Sequence, residues 1–176
     1  MPHTFEVSFE LPASVQRVHS TLADEKYWLA RLAAFGGGTT LESFRVDPDG
    51  AITVSTKQDL RHGAMPGLIA KVYPGDLTVL RYESWRPIGD LVRGSISVTA
   101  PGALGSGRGD ALLTPTQNGT LLKFTATAVF KIPLVGGTIE GYVARQFADG
   151  IAEVQRFTTE WLEDTPRARA RHRRNT

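Results

Sequence analysis

The chain contains no cysteine among its 176 residues, and this absence excludes several kinds of chemistry. There are no disulfides, no thiolate metal sites and no cysteine nucleophile. No apolar run approaches the roughly 20 residues that a membrane-spanning helix needs. A chain of this length can bury about 70% of its unfolded surface, so it can fold without a disulfide or a metal. We expect a cytoplasmic protein with one domain over residues 1–165.

Positive charge is scarce in the body of the chain and concentrated at its C-terminal end. The whole sequence has 20 Lys and Arg against 18 Asp and Glu. Residues 166–176 hold five of the arginines and no acid, so the remainder has 15 basic and 18 acidic residues. We expect a separate, disordered basic tail there. Contact of this tail with an anionic membrane stays open, and nucleic acid is not expected as a partner.

Alternating polar and apolar residues predict short strands along most of the chain. The first is Thr4–Leu11, followed by Ser14 as the N-cap of a short helix pair that ends at three glycines, residues 36–38. Turn residues separate the later strands, including Pro87 and the Asn118-Gly119 pair. Further strands are predicted at residues 39–46, 51–60, 76–86, 90–99, 105–114 and 120–131, with a loop at 61–74.

The segment Pro133–Asp164 is predicted to form one long helix. It has no internal proline, and its apolar residues recur at steps of three and four, which is the period of one helix face. A single long helix after a run of strands is typical of an α+β fold in which the helix covers the apolar face of an antiparallel sheet.

This order of elements resembles a known superfamily. The likeness is carried by the opening strand running into Pro12, the helix pair ending at glycines 36–38, the meander, and residues 132–137, which lead into the helix. The chain is similar to the START-like, helix-grip superfamily of the birch-pollen allergen, lipid-transfer START domains and polyketide cyclase-like proteins. More narrowly, it resembles a bacterial family of unassigned function within it. The resemblance implies a curved antiparallel sheet of about seven strands wrapped around the C-terminal helix, two short helices after the first strand, and a cavity that takes apolar or amphipathic molecules.

Strand alternation suggests which side chains would line such a cavity. On the strand over residues 76–86 two faces stay open: either Arg81, Glu83 and Trp85 point inward, or Leu80 and Tyr82 do. Small residues on the last strand leave room for a ligand or for a bulky neighbour, or let the helix pack closer. Inward polar residues would bind either a ligand or the protein itself. The expected lining residues are Val54, Thr56, Gln58, Met65, Leu68, Arg81, Glu83, Phe124, Ala126, Ala128, Ile139, Tyr142, Val143, Gln146 and Phe147.

No catalytic or metal-binding motif accompanies these residues. The four histidines lack metal-ligand spacing, and the glycines of residues 105–109 begin a strand instead of opening a helix. We therefore expect no metal and no cofactor. The favoured hypothesis is binding or carriage of a lipid-like or polyketide-like hydrophobic small molecule, without catalysis. A cyclase or dehydratase that uses the same cavity, and an interaction module with a filled core, stay open as alternatives. A monomer and a homodimer are both compatible with the sequence.

Overall fold

One antiparallel sheet of seven strands organises the part of the chain that the structure describes. The computed structural model describes residues 3–35, 37–59, 78–100, 105–130 and 149–164. The strand order is β1-β7-β6-β5-β4-β3-β2, so only the first strand is paired out of chain order. The sheet is curved and the predicted α+β class is confirmed. The elements are β1 His3–Leu11, α1 Val15–Leu22, α2 Glu25–Phe35, β2 Thr39–Val46, β3 Ile52–Asp59, β4 Thr78–Ile88, β5 Leu91–Ala100, β6 Gly105–Thr116, β7 Gly119–Phe130 and α3, residues 149–164.

The inner face of the sheet is the face whose side chains pack against the helices. On β1 the alternation is as predicted: Phe5, Val7 and Phe9 are half-buried and Leu11 is buried, while the residues between them are exposed. The main apolar cluster combines strand residues of this face with residues of all three helices, including Leu162 of α3. The helices therefore lie on one side of the sheet, which leaves its outer face to solvent.

The two short helices follow their predicted signals closely. Ser14 caps α1, and its side chain accepts a hydrogen bond from the backbone N–H of Arg17 at 3.3 Å. The Thr120 hydroxyl donates to the Ala13 carbonyl at 2.7 Å and thereby fastens the start of α1 to β7. The second helix ends at Phe35, just before the glycines, and Gly38 has the positive φ of 76° that glycine accepts without strain.

Aromatic packing joins α3 to α2. The ring of Tyr27 lies 6.0 Å from that of Phe157 and 5.8 Å from that of Trp161, measured between centroids. The buried Tyr27 hydroxyl lies 2.8 Å from the Thr158 hydroxyl. The predicted C-terminal helix is confirmed over residues 149–164, and its predicted first half lies outside the described residues. Among the described helices, none is long and apolar enough to cross a membrane.

At Pro87 and at Gly119 the strands extend further than predicted. Contacts with neighbouring parts of the chain explain both differences. The strand expected to break at Pro87 continues through it to Ile88. The pairing of β3 with β4 ends at Trp85, so on that side the missing N–H of Pro87 removes no ladder bond. In the β6–β7 hairpin, Gly119 belongs to the strand and not to the turn. Glycine is needed there because a Cβ would collide with the backbone of Leu11.

Glycines on the inner face provide seats for aromatic rings. A Cβ built on Gly94 would lie 2.6 Å from the Trp85 ring, and one on Gly109 would lie 2.7 Å from the Phe124 ring. Gly107, two residues before Gly109 on the same strand and face, is different. The nearest atoms to its Cβ would be the Thr127 carbonyl oxygen at 3.7 Å and the Val98 Cβ at 3.9 Å. Among the described residues, a Cβ at Gly107 would therefore meet only ordinary van der Waals contacts, whereas at the other two glycines an aromatic ring would have to move.

This difference predicts opposite effects of the same substitution at two glycines of β6. Gly109→Ala should lower the free energy of unfolding by about 1–3 kcal/mol, because the Phe124 ring has to move. Gly107→Ala should leave it unchanged or raise it by up to about 1 kcal/mol, because alanine loses less backbone entropy on folding. Urea unfolding of both variants measures the difference. Equal changes in the free energy of unfolding at Gly107 and Gly109 would contradict the difference in packing between them.

Candidate functional site

The structure decides which face of β4 points inward. Arg81, Glu83 and Trp85 lie on the inner face, and Glu83 is only 3% exposed. Leu80 and Tyr82, the alternative pair, are 49% and 48% exposed on the outer face. The strand thus places charged residues inside and large apolar ones outside, the reverse of what hydrophobicity alone favours.

Glu83 is the centre of a buried ionic cluster. The Nε–H of Arg81 donates to Oε1 of Glu83 at 2.7 Å, and the indole N–H of Trp85 donates to Oε2 at 3.2 Å. Arg31 of α2 brings its NH2 group to 3.6 Å from Oε1. The guanidinium of Arg31 also lies over the ring of Trp28, 4.9 Å from its centroid, in cation–π geometry. We call these five residues the Glu83 cluster; they join α2 to the middle of the sheet.

The electrostatics of the Glu83 cluster keep its carboxyl group ionised. Burial raises the pKa of Glu83, but the positive charges of Arg81 and Arg31 and the hydrogen bonds from Arg81 and Trp85 lower it by more. The result is a pKa below the usual value of 4.5. Two guanidinium groups thus face one carboxylate, which leaves the cluster with one net positive charge.

A floor of small residues continues from the Glu83 cluster across the sheet. Antiparallel register aligns Thr56, Arg81, Val98, Gly107 and Ala128 side by side on five neighbouring strands, and we call this line the Arg81 row. Its last two members are the smallest residue types, and among the described residues no ring lies against Gly107 as Phe124 lies against Gly109. A charged residue and two small residues therefore share a single line of the inner face.

The next line of the sheet, the Glu83 row, holds further predicted lining residues. It aligns Val54, Glu83, Ile96, Gly109 and Ala126. All five residues of this row are buried, and so is Ala128 of the Arg81 row. At Gly109 the bulky-neighbour explanation for small residues holds, because the ring of Phe124 occupies the space.

Of the fifteen predicted lining residues, the structure brings eight onto one face of the sheet. Six lie in the two rows, Phe124 packs over Gly109, and Gln58 is half-buried opposite Val79 of β4. The remaining seven lie outside the described residues: Met65, Leu68, Ile139, Tyr142, Val143, Gln146 and Phe147.

Two functional candidates were missed by the sequence analysis. Arg31 lies three and four residues after the buried Trp28 and Tyr27, so it shares their face of α2. An arginine on the buried face of a helix is an unusual placement, and this signal could have identified it. Gly107 was grouped with its neighbours as a strand start, and nothing in the sequence separates it from Gly109.

A second concave feature lies at the edge of the sheet, between α2 and β2. It is an open groove of about 470 Å³. None of the described residues that line it is charged, and none belongs to the Glu83 cluster. Its lining residues are Leu29, Leu32, Ala33, Gly37, Thr39, Thr40 and Leu41.

The arrangement of the site suits binding of a polar or anionic group better than acid–base catalysis. Both oxygens of Glu83 accept hydrogen bonds, and its lowered pKa disfavours the protonated form that a general acid requires. His19 is engaged structurally, with Nε2 2.8 Å from the Gly50 carbonyl oxygen. Within the described ranges, no group of three His, Asp or Glu residues could hold a metal ion.

Glu83→Gln is predicted to destabilise the fold in a pH-dependent way. Removing the carboxylate leaves Arg31 and Arg81 without their counter-charge, and because Arg81 is partly exposed we expect a loss of about 3 kcal/mol, the lower end for a broken buried pair. The pKa of Glu83 is lowered by folding, so its contribution is complete above pH 4.5 and is lost as the pH falls through its folded-state pKa. The gap between wild type and variant should therefore narrow below that pH.

Urea unfolding at neutral pH and at several pH values below 4.5 measures this gap. Glu10→Gln is the matched control, because Glu10 is exposed on β1 and its loss should change the free energy of unfolding by less than about 0.5 kcal/mol. A gap that stays constant as the pH falls would mean that the ionised Glu83 is not what stabilises the cluster.

Comparison with solved structures places the fold among helix-grip proteins. The chain is similar to the protein TTHA0849 from Thermus thermophilus, with a TM-score of 0.59 and 18% identity over 93% of this chain and 99% of that one. It is also similar to the di-domain ARO/CYC protein StfQ of the steffimycin biosynthetic pathway, with a TM-score of 0.60 and 16% identity over 94% of this chain and 52% of that one. These identities show the fold alone, and they confirm the resemblance noted from the sequence.

Comparison of sequences identifies nearer relatives. An uncharacterized protein of Mycobacterium tuberculosis is 36% identical over 174 residues, which cover 92% of this chain and 98% of the relative. The pattern of a family described as "protein of unknown function (DUF2505)" matches residues 6–162, which include β2 to β7, both short helices and most of α3. The chain therefore belongs to the DUF2505 family, and it has a helix-grip fold.

Proposed function

We propose that this protein binds or carries a hydrophobic or amphipathic small molecule on the inner face of its sheet, beneath the helices. The observation that carries the proposal is the pair of small residues Gly107 and Ala128 in the Arg81 row, in line with the Glu83 cluster. An apolar floor with few polar groups at one end is the usual composition of a small-molecule pocket.

Packing arguments support a ligand at this place. Protein interiors are normally filled, and on the same face Trp85 and Phe124 fill the space above Gly94 and Gly109. Among the described residues, no ring takes the corresponding position at Gly107. A bound apolar molecule would supply the contacts that the aromatic rings supply elsewhere on the sheet.

Carriage is favoured over catalysis by the state of the charged residues. The names of some fold neighbours denote enzymes, such as StfQ and the norcoclaurine synthase of Thalictrum flavum, so the fold is compatible with chemistry. Among the described residues of this chain, however, the one carboxylate on the inner face at the site is held ionised between two arginines. That arrangement supports recognition of a ligand and does not supply a proton donor.

Binding of an uncharged apolar fluorophore, N-phenyl-1-naphthylamine, tests the proposal. Wild type should bind it with saturation, and Ala128→Leu should weaken binding about tenfold or more, because the larger side chain would take the place proposed for the ligand. Thr125→Leu is the matched control, since Thr125 lies on the same strand but is exposed on the outer face. Native mass spectrometry of the purified protein provides an independent check for a retained ligand. Absence of saturable binding, or equal binding by both variants, would contradict the proposal.

A further inference from the structure

We propose that the ligand carries a single negative charge at one end, of the carboxylate type, and that Arg81 binds this end while the apolar body lies over Gly107 and Ala128. This inference rests on the proposed function and specifies its ligand class. It follows from the charge balance of the Glu83 cluster, from the accessibility of Arg81, and from the alignment of Arg81 with the small-residue floor.

The charge balance of the Glu83 cluster calls for one more anion. Arg31 and Arg81 carry two positive charges, and Glu83 carries one negative charge. The side chains of Glu83 and Arg31 are only 4% and 13% exposed, so the excess positive charge of these three residues reaches solvent at Arg81, which is 34% exposed. Buried charges in proteins are normally paired, and both oxygens of Glu83 are already occupied by hydrogen bonds. A ligand carboxylate would provide the missing counter-charge.

Arg81 is the member of the cluster that can receive this anion. Its side chain is 34% exposed, against 4% for Glu83. It donates to Glu83 through Nε, and no other described residue accepts a hydrogen bond from it. The terminal guanidinium nitrogens therefore remain as donors, and their planar fork matches the two oxygens of a carboxylate.

The position of Arg81 matches an amphipathic ligand. Gly107 lies two strands from Arg81 along the Arg81 row, and Ala128 lies three strands away. With neighbouring strands about 4.8 Å apart, the floor begins roughly 10 Å from the arginine. Val98, between them, is half-buried and apolar. An elongated molecule can therefore place its charged end at Arg81 and its apolar body across the floor.

The size of the excess charge favours a monoanion. One net positive charge in the Glu83 cluster is balanced by one carboxylate. A phosphate monoester carries about −1.5 to −2 at neutral pH, so it would leave negative charge uncompensated in a largely buried place. A carboxylate therefore fits better than a phosphate, and an alcohol leaves the cluster unbalanced.

The experiment compares displacement of bound N-phenyl-1-naphthylamine by decanoate, 1-decanol and decyl phosphate, which differ only in their head groups. In wild type at neutral pH, decanoate should displace the fluorophore at a concentration about tenfold or more below that of 1-decanol, because it adds charge-assisted hydrogen bonds. Arg81→Gln should abolish this preference and keep binding of the uncharged fluorophore. Arg93→Gln, which removes an exposed arginine of β5, should leave the preference intact.

The outcomes separate this inference from the proposed function. If wild type does not bind the fluorophore, the carrier function itself is overturned. If wild type binds it but decanoate and 1-decanol displace it equally, the charge inference is overturned and carriage stands. Displacement by decyl phosphate at lower concentrations than decanoate would overturn the assignment to a monoanion. Should Arg81→Gln fail to fold, the wild-type comparison still decides, and Arg81→Lys should keep a reduced preference because it retains charge without the fork.

Discussion

A carboxylate buried between two guanidinium groups is the constraint on which the inner face depends. Removing Glu83 from water is unfavourable unless charge and hydrogen bonds compensate for it. The compensation comes from two elements: Arg81 and Trp85 belong to β4, and Arg31 belongs to α2. Arg31 also lies over Trp28 of the same helix, so a shift of α2 along the sheet would carry the guanidinium away from Glu83. The position of this helix is thereby tied to the middle of the sheet.

The shape of the inner face is set by the residues opposite and beside that cluster. Glycines on β5 and β6 allow the rings of Trp85 and Phe124 to lie flat on the sheet, which fills one half of the face with aromatic carbon. Among the described residues, no such ring lies against the small residues of the Arg81 row. Glycines of one strand thus have different surroundings, according to what their neighbours on adjacent strands contribute.

Most of the fold could be predicted from periodicity, whereas the site could be predicted only in part. Alternation on β1 and the cap at Ser14 are local signals, and both are confirmed. The face of β4 is not a local property, because both of its faces mix polar and apolar residues. Only the register, which sets Glu83 opposite Val54 and Ile96, decides it. The role of Arg31 depends on where α2 lies, and the difference between Gly107 and Gly109 depends on where the Phe124 ring lies, so neither follows from spacing alone.

Stability alone is a poor reason for this arrangement. A buried ionic cluster can often be replaced by apolar residues of similar volume without loss of stability. Small residues on the inner face likewise make fewer packing contacts than larger side chains would make there. The ionic cluster and the small residues lie in adjacent rows of one sheet face. A ligand with a charged end and an apolar body would contact both, which connects these two features to the proposed binding role.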